Sequence, residues 1–470
     1  MSKELFEWRQ RVLDSISPSF CAAKWLNSTI HLGHGYTHSC HLPIPHPIDQ
    51  ETIKLNPSAL HNTAHKKIQR KRMLQGERPR ECEYCWKIED IGRKNISDRV
   101  YKSIIYNDND IKNIANAPFD KDINPKTLEI SFDRTCNLAC SYCNAGYSTT
   151  WAQDIINNGP YQKLKSDGAG AYQHSGEWAE PYGKFNVGNP YVKAFFEWWP
   201  DLSKELKEIR ITGGEAVVSH QFWNFIEVVK KTHSPDLRFS VNTNLMGKRS
   251  NLDKLIDFTY EPNYKEFFLF TSCEAVGKHA EYIRDGLIYS EWRDNLEYFL
   301  TKSKAGAATI MMTITSLSLF SITDFLNDMA LLKEKFTPYK PAVDLNILRW
   351  PSFMSPLVFP NNIKKHCRDK LYLWYNENKT NILFSEGELA QVQRLIDYID
   401  IVDKPHRRTS EDITKLQHDF KSFYTQYDKR RNKDISVFPK ILIDWLDTIY
   451  IDNSISDIKI NIGGMADCDV

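Results

Sequence analysis

"TLEISFDRTCNLACSYC", residues 127–143, joins a strand pattern to a cysteine loop. In "TLEISFD" (127–133) polar and apolar residues alternate with a period of two, the signature of a half-buried β-strand. The next residues place Cys136, Cys140 and Cys143 in the spacing CxxxCxxC. Three thiolates can hold three irons of a [4Fe-4S] cluster and leave the fourth iron without a protein ligand. A structural zinc or a closed electron-transfer cluster needs four ligands, so a triplet implies a position left free for another molecule. The competing readings of the spacing alone are a zinc site completed by a distant histidine, and three unrelated thiols.

Five further strand patterns follow the first. They are "EIRITGGE" (208–215), "LRFSVNTN" (237–244), "EFFLFTSCEA" (266–275), "ATIMMTITS" (308–316) and "VDLNILRW" (343–350). Helical patterns separate them, including "SHQFWNFIEVVKK", "NLDKLIDF", "SEWRDNLEYFLTKSK" and "SITDFLNDMALLKEKF". Strand then helix, repeated six times, predicts an α/β fold with right-handed crossovers and a parallel sheet, either open or closed into a partial (β/α)6 barrel. Ligands then belong at the carboxyl ends of the strands. The cysteine loop and "GGE" lie at that same rim. Residues 159–190 interrupt the alternation with glycine and aromatics, a loop of functional length. From about 356 onward the pattern is helical. The division expected is an N-terminal cysteine-rich unit over 1–115, the barrel over 116–355 and a C-terminal helical region over 356–470.

The chain has 470 residues, 41% hydrophobic and 26% charged, which fits two or three packed globular units. There is no apolar run long enough to span a bilayer, and "MSKELFEWRQRVLDSI" opens like an amphipathic helix rather than a secretory signal. A cytoplasmic location is therefore expected. Ten cysteines in a reducing compartment point to metal or redox chemistry rather than disulfides. A net charge of +1 provides no global field for nucleic acid. The basic runs "HKKIQRKR" (65–72) and "DKRRNK" (428–433) are read as solvated helix faces. Cys273 and Cys367 are expected as buried apolar thiols, with Cys468 in a tail.

The CxxxCxxC loop after one strand and "GGE" at the end of the next resemble the radical S-adenosylmethionine (radical SAM) superfamily over residues 127–350. The resemblance implies that Cys136, Cys140 and Cys143 hold a [4Fe-4S] cluster whose open iron binds S-adenosylmethionine. It implies that Gly213 and Gly214 admit the methionine moiety, with Glu215 accepting from its ammonium, and that Tyr142 lies against the adenine. Ser240, Asn242, Asn244, Ser272 and Glu274 stand where the family binds ribose and the methionine carboxylate, and Arg284 where some members hold that carboxylate. Taken singly, a strand-end cap, a surface ion pair or a common turn explains these residues equally well. An electron donor such as flavodoxin or ferredoxin is implied as partner.

Cys21, Cys40, Cys82 and Cys85 form a second group, a complete ligand set for zinc or for a [4Fe-4S] cluster. The run CxxxW, then glycine, then Cys40, then "QGERPRECEYC" resembles the cluster-binding half of a SPASM domain, the smaller form called twitch. An auxiliary [4Fe-4S] cluster is implied, in preference to zinc. His41 follows Cys40 where relatives often carry a second cysteine. Half of the chain's 14 histidines, His31, His34, His38, His41, His46, His61 and His65, lie in this stretch. All but His38 and His41 are read as surface residues.

The expected activity is reductive cleavage of S-adenosylmethionine to a 5'-deoxyadenosyl radical that takes hydrogen from a substrate. A small polar metabolite or nucleotide is preferred, with a peptide- or protein-modifying maturase as the alternative. A zinc-bearing nucleic-acid-binding protein without catalysis is the alternative of another class.

Overall fold

The computed structural model describes residues 2–92, 95–183, 188–337, 341–400 and 412–451. Cys468, and parts of the 159–190 loop and of the C-terminal helical region, lie outside the described residues. All six predicted β/α strands are present. They are β4 (Thr127–Ser131), β6 (Glu208–Thr212), β7 (Ser234–Thr243), β8 (Tyr264–Ser272), β10 (Ala307–Ile314) and β11 (Ala342–Ile347). They lie side by side in chain order, each parallel to the next, as a partial (β/α)6 barrel requires. Two short strands, β5 (Ala139–Cys140) and β9 (Arg284–Asp285), pair separately and antiparallel.

The N-terminal region adds three strands beyond β4: β1 (Asn27–His31), β2 (Tyr36–His38) and β3 (His46–Pro47). β1 runs parallel to β4 through five residue pairs from Asn27↔Thr127 to His31↔Ser131. The sheet therefore has nine strands, with β11 and β3 at its edges.

Strand periodicity gives the sheet two unlike faces. Leu128, Ile130, Ile209, Ile211, Phe239, Val241, Phe267 and Leu269 are buried against the crossover helices. Phe239 meets Phe225 of helix His220–Val229 and Phe258 of helix Arg249–Phe258, with centroids 6.1 and 5.0 Å apart. The opposite, helix-free face carries the alternate residues, mostly polar: Glu129, Ser131, Arg210, Thr212, Ser240, Asn242 and Ser272. Alternation is what separates an apolar face for packing from a polar one for chemistry. A second hydrophobic cluster, built around Leu13, Phe20, Trp25, Met73, Trp86 and Val100, belongs to the N-terminal region alone. Ile30, Leu32, Ile48 and Ile53 from the same region join the main core.

Both basic runs depart in part from the expected solvated faces: Lys71, Arg72 and Lys429 are exposed, and other cations turn inward. In helix Ala64–Leu74, Lys66 and Arg70 are buried. Lys66 Nζ donates to Ser28 Oγ and Thr37 Oγ1, both at 2.9 Å, and Arg70 donates to the Lys24 carbonyl at 3.2 Å and to Asn62 Oδ1 at 3.0 Å. Arg430 and Arg431 lie 3.5 and 3.3 Å from Asp154 Oδ2 and stack on Tyr161 and Trp151. Charge content alone does not reveal which face of a helix meets a neighbour. No helix among the described residues is long and apolar enough to cross a membrane.

Candidate cluster and cofactor site

The cysteine loop leaves the end of β4 and is held from both sides by backbone-directed bonds. Ser148 caps helix Thr149–Asn158 by accepting from Trp151 N, and its hydroxyl also donates to the Leu138 carbonyl at 2.8 Å. Trp151 Nε1 donates to the Cys140 carbonyl at 2.9 Å, and Thr150 Oγ1 to the Cys136 carbonyl at 2.7 Å. On the other side β5 pairs with β9, and Ser141 N donates to the Ile283 carbonyl at 2.7 Å. These bonds satisfy carbonyls that would otherwise point to no partner, so the loop is ordered before any ligand arrives. Cys140 is buried, and Cys136 and Cys143 are half-buried. Burial, reinforced by Cys140, pushes the Cys143 thiol up to about 12 and raises Cys136 as well. Thiols this close and this dry favour a cation that takes up their charge.

Gly213 and Gly214 press against the root of the same loop. Gly213 has φ +123°, and a Cβ there would lie 2.7 Å from the Asp133 carbonyl oxygen. At Gly214 a Cβ would lie 2.4 Å from the Thr135 carbonyl oxygen and 2.5 Å from that of Arg134. Only glycine fits at either position. Glu215 N donates to the Thr135 carbonyl at 2.6 Å, and the carboxylate of Glu215 accepts from Thr243 Oγ1 at 2.5 Å, from Asn244 N and from Val217 N at 3.3 Å. Burial nonetheless pushes Glu215 up to about 7, outweighing those donors.

The other singled-out residues fall around this rim. Asn244 Nδ2 donates to Asn137 Oδ1 at 2.9 Å and so ties the end of β7 to the cysteine loop. Ser240, Asn242 and Ser272 lie on the helix-free face. Ser240 Oγ is buried without a hydrogen-bond partner among the described residues, and Asn242 Oδ1 accepts from Arg210 Nε at 2.8 Å. Glu274 and Arg284 form a buried ion pair, Arg284 Nε lying 3.0 and 3.1 Å from the two carboxylate oxygens. The surface ion pair open from sequence is thus an interior one. Arg284 Nη1 also donates to Cys140 Sγ at 3.7 Å, and the guanidinium lies 5.5 Å from the Tyr142 ring centroid. Ser148, Trp151 and Asn137 escaped the sequence reading, although Ser148 followed by a helical run is a recognisable cap signal. Cys273 and Cys367 are buried in the main core, as expected.

Cys21, Cys40, Cys82 and Cys85 line one cavity of about 20 Å³ in the N-terminal region, partly open to solvent. Cys82 caps the helix Glu83–Ile91, to which Cys85 belongs. Burial raises Cys40 and pushes Cys82 and Cys85 up to about 12, with the neighbouring thiols adding to each shift. Lys24, Arg99 and Lys102 border the same cavity. Lys24 is buried and bonded to Glu81, while Arg99 is held by Glu89 and Asp14 at 2.9 Å each. Among the described residues no three or more His, Cys, Asp or Glu side chains are grouped to hold a metal ion.

The histidines divide differently from the sequence reading. His61 is buried, bonded to the Trp25 carbonyl at 2.8 Å. His31 stacks on His34 and on His38, each with centroids 5.5 Å apart, and His31 Nε2 lies 3.3 Å from His38 Nε2. His38 Nδ1 donates to the Cys40 carbonyl, whereas His41 is exposed and 3.2 Å from Asp98.

No family model matches the chain, and no curated protein matches it. Among solved structures it is similar to anSMEcpe with bound AdoMet, at 13% identity and TM-score 0.34, over 55% of this chain and 62% of that one. It is also similar to SuiB of Streptococcus suis bound to S-adenosylmethionine, at 12% identity and TM-score 0.32, over 63% of this chain and 60% of that one. The chain thus spans about six-tenths of the length of these proteins.

Proposed function

We propose that the protein is a radical SAM enzyme with two [4Fe-4S] sites, one over Cys136, Cys140 and Cys143 and an auxiliary one over Cys21, Cys40, Cys82 and Cys85. The observation that carries this reading is the placement of Cys136, Cys140 and Cys143 on one loop at the carboxyl rim of a parallel β/α sheet, with Gly213 and Gly214 packed against the root of that loop. A reduced cluster with S-adenosylmethionine bound to its open iron supplies a one-electron cleavage that yields a hydrogen-abstracting radical. The chain's own residues do the rest. Gly213 and Gly214 leave an edge without side chains beside the loop, Glu215 offers a buried acceptor, and the Arg284–Glu274 pair holds β9 against the cysteines. Ser240, Asn242 and Ser272 furnish polar contacts on the helix-free face, Tyr142 an aromatic wall, and Asn244 ties β7 to the loop. The described part of the insertion, 159–183, is anchored to helix Ile413–Arg431 where Asp419 accepts from the Lys165 and Ser166 amides, and would serve to limit water at the rim.

At the second site the four thiols line one cavity, a ligand set complete for zinc or a [4Fe-4S] cluster, and the resemblance to a twitch domain favours the cluster. The units we assign are 1–115 for this site, 116–355 for the barrel and 356–470 for the helical cap; the separate hydrophobic cluster of the N-terminal region supports the first. The inward turn of Lys66, Arg70, Arg430 and Arg431 reduces the basic surface a nucleic-acid-binding protein would use. A small polar metabolite or nucleotide remains the preferred substrate, and flavodoxin or ferredoxin the electron donor.

The test is anaerobic reconstitution with iron and sulfide. About eight irons per chain are expected, falling to about four when Cys136, Cys140 and Cys143 are changed together to Ala. With dithionite and S-adenosylmethionine, only the wild type should form 5'-deoxyadenosine. Zinc alone with no 5'-deoxyadenosine would refute the reading.

A further inference from the structure

The helix-free face carries two arginines in similar seats and different states. Arg238 on β7 stacks over Phe268 with its guanidinium carbon 4.5 Å from the ring centroid, and its charge is met by Glu266 at 3.1 Å and Glu208 at 3.6 Å. Arg210 on β6 stacks over Phe270 at 4.0 Å and donates through Nε to Asn242 Oδ1 at 2.8 Å. Among the described residues no carboxylate pairs with it. Its cross-strand neighbour Glu129 accepts through Oε1 from Thr212 Oγ1 at 3.3 Å and, among the described residues, forms no ion pair with Arg210.

A guanidinium has five donors in a rigid fork. In Arg210 one is used, the plane is fixed by the ring, and the terminal pair remains unclaimed. A half-buried cation without a counter-ion is left partly desolvated, a cost that an arriving anion would relieve. The unclaimed pair matches the two oxygens of a carboxylate or phosphate. Arg210 lies three residues before Gly213, about 10 Å down the strand from the rim. An oxyanion seated there leaves the rest of a small molecule extending toward the cysteine loop.

We propose that Arg210 is the oxyanion receptor of this site, and that the substrate carries a carboxylate or phosphate which docks on it, positioned by Phe270 and Asn242. The proposal rests on the enzymatic reading above for what happens at the rim, but not for the binding itself.

The experiment is calorimetric titration of the reconstituted full chain at low salt with inorganic phosphate, succinate and S-adenosylmethionine, in wild type, Arg210→Gln and Arg210→Lys. Saturable binding of phosphate or succinate is expected in the wild type, and whichever binds identifies the group. Arg210→Gln should weaken it about tenfold or more, and Arg210→Lys, which keeps the charge without the fork, should restore it only in part. If Arg210→Gln does not fold, wild type against Arg210→Lys decides, an equal affinity overturning the proposal. It is likewise overturned by absence of saturable binding of both anions, or by unchanged affinity in Arg210→Gln. A loss confined to S-adenosylmethionine would assign Arg210 to the cofactor's carboxylate and overturn the substrate assignment. Failure here leaves iron content and 5'-deoxyadenosine formation untouched, so the two readings fail separately.

Discussion

Glu215 shows how one side chain can carry a conflict between burial and bonding. Three donors face its carboxylate, yet the surroundings are dry enough to push its pKa from an ordinary 4.5 to about 7. The folded state therefore binds this proton more tightly than the unfolded state does. Its contribution is fully present below about pH 4.5 and is lost as pH rises toward 7. Glu215→Gln, which keeps an acceptor for Asn244 N but cannot ionise, should flatten that dependence. The difference amounts to at most roughly 3 kcal/mol across the window. Urea midpoints of both proteins at several pH values check it, and parallel curves would show that the carboxylate is charged in the fold. At Gly213 and Gly214 the constraint is steric, and it is the kind that sequence signals well, since only glycine tolerates a carbonyl oxygen less than 3 Å from where Cβ would be.

Among the elements, helix Ile413–Arg431 does more than cap the barrel. Asp419, fully buried, accepts from the amides of Lys165 and Ser166 at 2.7 Å each, while Tyr427 Oη donates to the Tyr282 carbonyl at 3.0 Å beside the cysteine loop. One helix thus fixes both residues 161–172 of the insertion and the wall of the site. Asp419→Ala would strand two buried amides. It should cost roughly 2–4 kcal/mol and speed proteolysis within 159–183. Undiminished protection in a limited digest would mean that the aromatic contacts of Tyr161 and Tyr172 with Phe423 hold the segment unaided. The amphipathic period of this helix was readable in advance; its partners, some 250 residues away, were not.

On the scale of the whole molecule, the N-terminal region is both a separate cluster and an extension of the barrel's sheet. β1 satisfies the edge of β4 over five residue pairs, and Ile30 and Leu32 enter the main core. Removing residues 1–115 would open that edge and strip part of the core. The shortened chain should aggregate, because an exposed parallel edge templates further pairing. Size-exclusion chromatography checks this, and a stable soluble monomer of 116–470 would show that β4 tolerates a free edge.

The six β/α repeats, their chain order and both cysteine groups were legible in the sequence, because a period of two, a period near 3.6 and the spacing of thiols are local properties of the chain. What only the tertiary structure decided is which surfaces meet. It brought Cys21 and Cys40 to the cavity of Cys82 and Cys85, and turned Lys66, Arg70, Arg430 and Arg431 inward. It buried Arg284 with Glu274 against Cys140 and, among the described residues, left Arg210 without a carboxylate while giving Arg238 two. Charge and burial are set by neighbours distant along the chain, and two arginines on adjacent strands of one sheet read alike until their neighbours are in place.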